Sequence, residues 1–202
     1  MNSNFINIIS YLFDFILHID VHLGQLISQY GITTYIILFV IIFIETGLVF
    51  TPFLPGDSLL FAAAAFAAIG SLNIYILIPV LIVAAVLGDT SNYWIGHFFG
   101  EKLIAGHTPL IKKKHLDETQ KFFDKYGGST IILARFVPIV RTCAPFVAGI
   151  GKMHYGKFIS FNIIGGISWV LLVTLVGFFF GNIPFVKSNF SVIVIAIIFI
   201  SV

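Results

Sequence analysis

Charge is what this sequence has least of. Only 10% of its 202 residues are Asp, Glu, Lys or Arg, against about 25% in an ordinary soluble domain. One cysteine, Cys143, excludes an intramolecular disulfide and a cysteine-based metal cluster. No Ser-His-Asp set, phosphate-cradling glycine loop or dinucleotide fingerprint appears, so nothing marks an enzyme and no cofactor is implied. The first residues carry neither a basic n-region nor a small-residue cleavage site, which argues against a removable signal peptide. No lysine lies within the apolar segments, and the arginines are Arg135 and Arg141 alone.

Apolar residues fill the space that charge leaves. They make up 58% of the chain, with 16% aromatics and 23 phenylalanines, and the mean hydropathy is +1.05. Usage near 45–50% is typical of soluble domains, so the composition predicts a multi-pass, all-α integral membrane protein built as one domain.

The segment Phe5 to His22 reads as an amphipathic helix, because Asn7, Ser10, Asp14, His18 and His22 recur at spacings of three and four. A helix of that kind lies on a membrane surface, and residues 1–29 form this interfacial element. Asp14, His18 and His22 have a spacing that suits a metal, but a polar interfacial face explains them equally, and no metal is assigned. Ile32 to Phe50 is apolar apart from Glu45 and its threonines, then breaks across Pro52 and Pro55. The following arm, Leu59 to Ile69, is too short to cross a core that needs about twenty residues. The two arms together predict a re-entrant hairpin or broken helix. Ile74 to Phe99 is long enough to span, with Asp89 and Asn92 as polar interruptions. Residues 101–129 are strongly polar, with 101–125 as the linker between repeats, and within them His115 to Tyr126 reads as a surface helix stopped by Gly127 and Gly128. Thr130 to Ile150 is a second interrupted segment, broken at Pro138 and Pro145, and Phe158 to Phe180 spans. Ser191 to Val202 begins a C-terminal transmembrane helix that is incomplete at twelve residues, within the segment 182–202.

The membrane domain, 30–181, repeats itself. Tyr30-Gly31 before an Ile-Ile-Leu run matches Tyr126-Gly127 before another, and Glu45-Thr46 then aligns without a gap on Arg141-Thr142. The spanning helices close on Gly96 and Gly100, and on Gly177 and Gly181. Repeat one (30–100) and repeat two (126–181) each combine a broken hairpin with one spanning helix. An odd number of crossings inverts the second copy, the arrangement many transporters use to build a midplane site. The glycine spacings allow close helix packing within or between subunits, a homo-oligomer included. On this topology, residues 100–129 and 151–157 share a side that carries Lys102, Lys112, Lys113, Lys114, Lys121, Lys125, Lys152 and Lys157, while the other side holds Lys187. The positive-inside rule makes the lysine-rich side, including the 101–129 loop, cytoplasmic. The lysines at 112–114 read as a patch for anionic lipid, worth about 1 kcal/mol each, and not as a nucleic-acid site.

The buried charges carry the chemistry. One Asp, Lys or Arg at the centre of a spanning helix costs roughly 2.5–3.5 kcal/mol, so Glu45, Asp57, Arg135 and Arg141 must be paired, hydrated or used. Inverted symmetry makes Glu45 face Arg141 near the midplane, either as an ion pair holding two hairpin tips or as a switchable site. In the second case a phosphate that took the arginine would leave Glu45 in apolar surroundings, which favour its protonated form. Arg135 and Arg141 flank Pro138, whose break can turn both guanidiniums into one pocket, and guanidinium forks suit phosphate oxygens. They are the candidate phosphate-binding pair. Asp57 reads as a helix N-cap, or as a functional acid that is either a second proton site or a partner for Arg135. Asp89 and Asn92 are supporting candidates.

The sequences Glu45-Thr46-Gly47-Leu48, Pro52-Phe53-Leu54-Pro55-Gly56-Asp57-Ser58, Gly88-Asp89 with Asn92-Tyr93, and Arg135 through Pro138 to Arg141-Thr142 together resemble the DedA family of bacterial inner-membrane proteins, which carry the VTT or SNARE-associated domain. The resemblance runs from about Ile6 to Gly181. It implies opposed re-entrant hairpins in the plasma membrane, a part in envelope maintenance and proton-motive force, and recycling of undecaprenyl phosphate. More distant eukaryotic relatives are lipid scramblases. The family's functional acids fall on Glu45 and Asp57, and its functional arginines on Arg135 and Arg141. A basic cytoplasmic tail beyond the last helix, usual in the family, does not appear. The leading expectation is a carrier for a polyprenyl phosphate or related anionic lipid, coupled to protons. An ion–proton antiporter, a non-selective scramblase and a non-transporting envelope factor compete with it.

Overall fold

The structure, a computed structural model, describes residues 19–48, 56–105, 113–190, 192–193 and 196–197. Among these residues every regular element is helical. In chain order they are α1 (Ile19–Tyr30), α2 (Thr33–Gly47), α3 (Gly56–Ala68), α4 (Ile74–Ala105) and α5 (Lys113–Tyr126). A 3-10 turn (Gly127–Ser129) then leads into α6 (Thr130–Ala134), α7 (Pro138–Ile150), α8 (Tyr155–Phe180) and α9 (Pro184–Ser188). Among the described residues two stretches are long and apolar enough to cross a membrane, Ile74–Gly100 and Tyr155–Phe180. The apolar helices α2 and α3 have 15 and 13 residues, short of the roughly twenty a crossing requires.

Two local backbone features recur along the chain. Gly31 and Gly127, which follow the paired tyrosines, both turn with positive φ, +52° and +57°, a conformation that glycine enters without a Cβ penalty. The helices α3 and α7 have 13 residues each and end on the same cap. After α3, Gly70 N–H donates to the Ala67 carbonyl and Ser71 N–H to Phe66; after α7, Lys152 donates to Gly149 and Met153 to Ala148. Both are Schellman caps. The left-handed position is Gly70 in one copy and Lys152 (φ 51°) in the other.

The chain forms two compact units, one from residues 1–36, 55–77 and 172–201, the other from 37–54 and 78–171. In the first, α1 packs on α3, with Gly24 beside the Phe66 ring. A buried run of alanines, Ala62 to Ala65, lets α3 approach other backbone closely. Gly177 of α8 and Gly181 just beyond it lie against Phe61, Ala64 and Ala65, and Asn182 Nδ2 donates to the Ala65 carbonyl at 2.8 Å. In the second unit α5, α6 and α7 pack together around Tyr93, Ile131, Ala134, Val140, Ala144, Ala148 and Phe158. Gly96 and Gly149 bring α4 and α7 together so closely that a Cβ on either would overlap backbone of the other helix. Elsewhere both spanning helices present apolar side chains outward, among them Val83 and Leu87 on α4 and Ile163 and Ile164 on α8.

Several expectations change. The N-terminal helix is described only from Ile19 and runs on to Tyr30, past His22. Asn7, Ser10, Asp14 and His18 lie outside the described residues, as do Pro52, Pro55 and Lys112. Helix α4 continues unbroken through Asp89 and Asn92 and extends to Ala105, into the stretch expected as linker. The surface helix begins at Lys113, ahead of His115. Pro145 does not break its segment but sits inside α7. Its missing N–H removes the hydrogen bond to the Arg141 carbonyl four residues back, a loss that neighbouring polar groups can make good in a membrane helix. The break at Pro138 is real. Val137 before it is extended (φ −121°, ψ 109°), and the proline opens α7, as steric pressure on a pre-proline residue requires. Of the C-terminal segment from Ser191, only 192–193 and 196–197 are described.

Candidate functional site

The second unit gathers four charged side chains around one cavity. Glu45 comes from the last turn of α2, Asp89 from the middle of α4, Arg135 from the end of α6 and Arg141 from the first turns of α7. The cavity is lined by these four with Thr46, Thr142 and Trp169, and its volume is about 20 Å³.

Two ion pairs close it. Arg141 Nη2 donates to Glu45 Oε1 at 2.6 Å, the acid and base that the repeat aligns. Arg135 Nη2 lies 2.6 Å from Asp89 Oδ2 and 2.6 Å from Asn162 Oδ1. Glu45 is 2% exposed, Asp89 5% and Arg135 6%. Charges this buried persist because each has an opposite partner; removing one partner of such a pair typically costs 3–5 kcal/mol.

The polar scaffold around them is specific. Asn162 Nδ2 donates to the Val86 carbonyl at 3.0 Å, so the same amide orients Arg135 and ties α8 to α4. Asn92, fully buried, donates to the carbonyls of Thr142 at 2.9 Å and Thr46 at 3.4 Å. These threonines directly follow Arg141 and Glu45, so one amide holds both halves of the aligned motif. Thr46 is in the last turn of α2, where carbonyls lack helical partners. Asn92 Oδ1 and Arg135 Nε are buried without a hydrogen-bond partner. Trp169 lies beneath both guanidiniums, 5.8 Å from Arg135 Cζ and 5.4 Å from Arg141 Cζ, within cation–π range.

Glycine makes room for these groups. Arg135 lies across Gly165 of α8, where a Cβ would come within 3.1 Å of Cδ and 3.2 Å of Nε. Gly88 of α4 lets Thr46 approach; its Cα is 3.4 Å from the position a Cβ on Gly47 would take.

The residues singled out from sequence therefore divide. Glu45, Arg141, Arg135 and Asp89 share the cavity, and Asn92 braces it. Asp57 is a half-buried acid in the first turn of α3, in the other compact unit, and the partner expected of it, Arg135, is held by Asp89 instead. Asn162, Trp169 and the glycines between them were missed. Their signal is present: residues 162, 165, 166 and 169 follow the three-and-four spacing of a single helix face, and Asn162 is a lone amide in an apolar helix.

The VTT domain family matches residues 54–198. Protein DedA of Escherichia coli strain K12 is 52% identical over 97% of this chain and 91% of its own length. The uncharacterized membrane protein Rv0364 of Mycobacterium tuberculosis is 47% identical over 80% of the chain and 72% of its own, and the E. coli inner membrane protein YqjA is 34% identical over 74% and 69%. No solved structure matches. Since the matched family covers most of the chain and these relatives cover most of their own lengths, the chain belongs to the DedA family of VTT-domain membrane proteins.

Proposed function

We propose that this protein carries an anionic lipid, undecaprenyl phosphate or a related polyprenyl phosphate, across the bacterial plasma membrane, with proton coupling. One observation carries the reading: the only two arginines in the chain meet over one tryptophan in a buried cavity, each balanced by a carboxylate. Guanidiniums so placed suit the oxygens of a phosphate headgroup, and an apolar protein surface suits its hydrocarbon tail.

The helical pattern supports a way of moving it. Short apolar arms joined at breaks, each followed by a spanning helix, suit two re-entrant hairpins of opposite orientation, with the lysine-rich 101–129 side cytoplasmic. Gly96 of α4 packs against the arm of the second repeat at Phe146, and Gly177 of α8 against the arm of the first at Phe61 and Ala64. That reciprocity is what a two-fold relation between inverted repeats would produce. Glu45 is the proton-handling acid at the arginines, and Asp57 a further candidate acid.

The test is lipid translocation in liposomes carrying the purified protein. Labelled undecaprenyl phosphate is compared with labelled phosphatidylethanolamine, with and without a pH gradient. Selective movement of the polyprenyl phosphate that responds to the gradient and is abolished in Arg141→Gln is expected. Equal movement of both lipids would replace this reading with scrambling. Proton flux on adding cations, with neither lipid moving, would replace it with an antiporter, and no flux of any kind would leave an envelope factor that does not transport.

A further inference from the structure

The cavity between the arginines is already occupied by the protein's own anions. Glu45 and Asp89 each hold a guanidinium at 2.6 Å, and the remaining space, about 20 Å³, accommodates one water. A phosphate group that takes both of these Nη2 donors must displace both carboxylates.

The charges around the cavity constrain what happens next. Glu45 on α2 faces Arg141 on α7; Asp89 on α4 faces Arg135, whose second partner is Asn162 on α8. Among the described residues, the rest of the lining, Thr46, Thr142 and Trp169, brings no charge. With both acids ionised these four charges cancel. An uncompensated charge in surroundings this apolar costs several kcal/mol, so the occupied site must be neutral as well. A phosphomonoester dianion uses both positive charges and leaves Glu45 and Asp89 with none.

We infer that the site exchanges its two carboxylates for one headgroup phosphate, and that each acid binds a proton as it releases its arginine. The inference deepens the proposed lipid-phosphate reading and rests on it. The balance closes: one dianion and two protons enter a neutral site and leave it neutral. The protons come from water on the side of entry and depart on the far side as the carboxylates return to their arginines. Net charge moved is zero. A headgroup that is a monoanion, such as a phosphodiester, needs one proton only, so the proton count follows the headgroup charge.

Calorimetry tests this on the purified protein in detergent. A short-chain polyprenyl phosphate is titrated at about pH 8, well above the second phosphate pKa of about 6, in two buffers of different ionisation heat. The difference gives protons taken up per ligand bound. About two are expected for the polyprenyl phosphate, about one for a short-chain phosphatidylglycerol, and about one for the polyprenyl phosphate with Asp89→Asn. Tight binding with no proton uptake would overturn the exchange, because the carboxylates would then remain ionised beside the ligand. An uptake of two that survives Asp89→Asn would overturn the assignment of Asp89. Should that variant not fold, the monoester-to-diester comparison in the unaltered protein decides: equal uptake by both overturns the inference. Failure of the unaltered protein to bind either phosphate would instead remove the lipid-phosphate reading itself, and the exchange with it.

Discussion

Arg141 and Glu45 pair at 2.6 Å across 96 residues of chain, the same offset that separates Tyr30-Gly31 from Tyr126-Gly127. Positions equivalent under a two-fold relation touch only where they lie on its axis. Under the proposed relation between the repeats, the pair lies on that axis.

Exchanging the two charges is consequently a sharp experiment. Glu45→Arg or Arg141→Glu alone leaves like charges buried together and should unfold the protein in detergent, in line with the 3–5 kcal/mol typical of a broken buried pair. The double exchange should recover most of the melting temperature. Under the lipid-phosphate reading it should not recover transport, because the exchanged guanidinium would project from α2 and no longer lie over Trp169 beside Arg135. Recovered transport would count against recognition of phosphate by Arg141.

Arg135 depends on geometry as much as on charge. Its Nη2 meets both Asp89 and Asn162, while the rest of the side chain lies across Gly165. Arg135→Lys keeps the charge but lacks the planar fork. Translocation is expected to fall at least about tenfold, the equivalent of 1.4 kcal/mol, with the fold retained. Unchanged translocation would show that the charge alone suffices.

Two glycines should respond differently to alanine. At Gly149 a Cβ would overlap the Tyr93 carbonyl, and both sides of the contact are backbone. Overpacking of this kind costs roughly 1–3 kcal/mol or more, so Gly149→Ala should lower the melting temperature markedly or prevent folding. At Gly31 no atom lies within 4 Å, but φ is +52°. Gly31→Ala should cost only about 1–2 kcal/mol, the backbone penalty of a left-handed residue. Equal effects in a thermal melt would count against the close α4–α7 contact.

Lys152 offers the opposite change. It occupies the cap position that glycine fills at Gly70. Lys152→Gly should relieve the left-handed backbone and raise stability by about 1 kcal/mol, less the greater freedom glycine gains in the unfolded chain. A lowered melting temperature would mean that the lysine side chain outweighs its backbone strain.

The repeat made part of this site legible in the sequence. It aligned Glu45 with Arg141, and Pro138 between two arginines announced the break that turns them inward. The partner of Arg135 was harder to read. Asp57 stands beside a proline-rich break, as functional acids often do, whereas Asp89 sits inside a long continuous helix where a carboxylate looks like a blemish in a span. Only packing shows that its helix crosses Arg135. Asn162 and Trp169 were lost for a related reason, since averaged hydropathy over an apolar helix hides two polar contacts on one face. Pro145 misled in the other direction: a proline signals a break in water-soluble helices more dependably than in a packed membrane helix, where α7 absorbs it.

Trp169 has a practical consequence. The chain contains two tryptophans, and Trp94, at 37% exposure, lies away from the arginines on the aromatic cluster of Tyr93, His97 and Tyr155. Replacing Trp94 with Phe leaves one indole, the one stacked beneath both guanidiniums. Its emission would then follow the arginines directly, so the protein carries an optical reporter of its own site that needs no label, no lipid analogue and no membrane to be read.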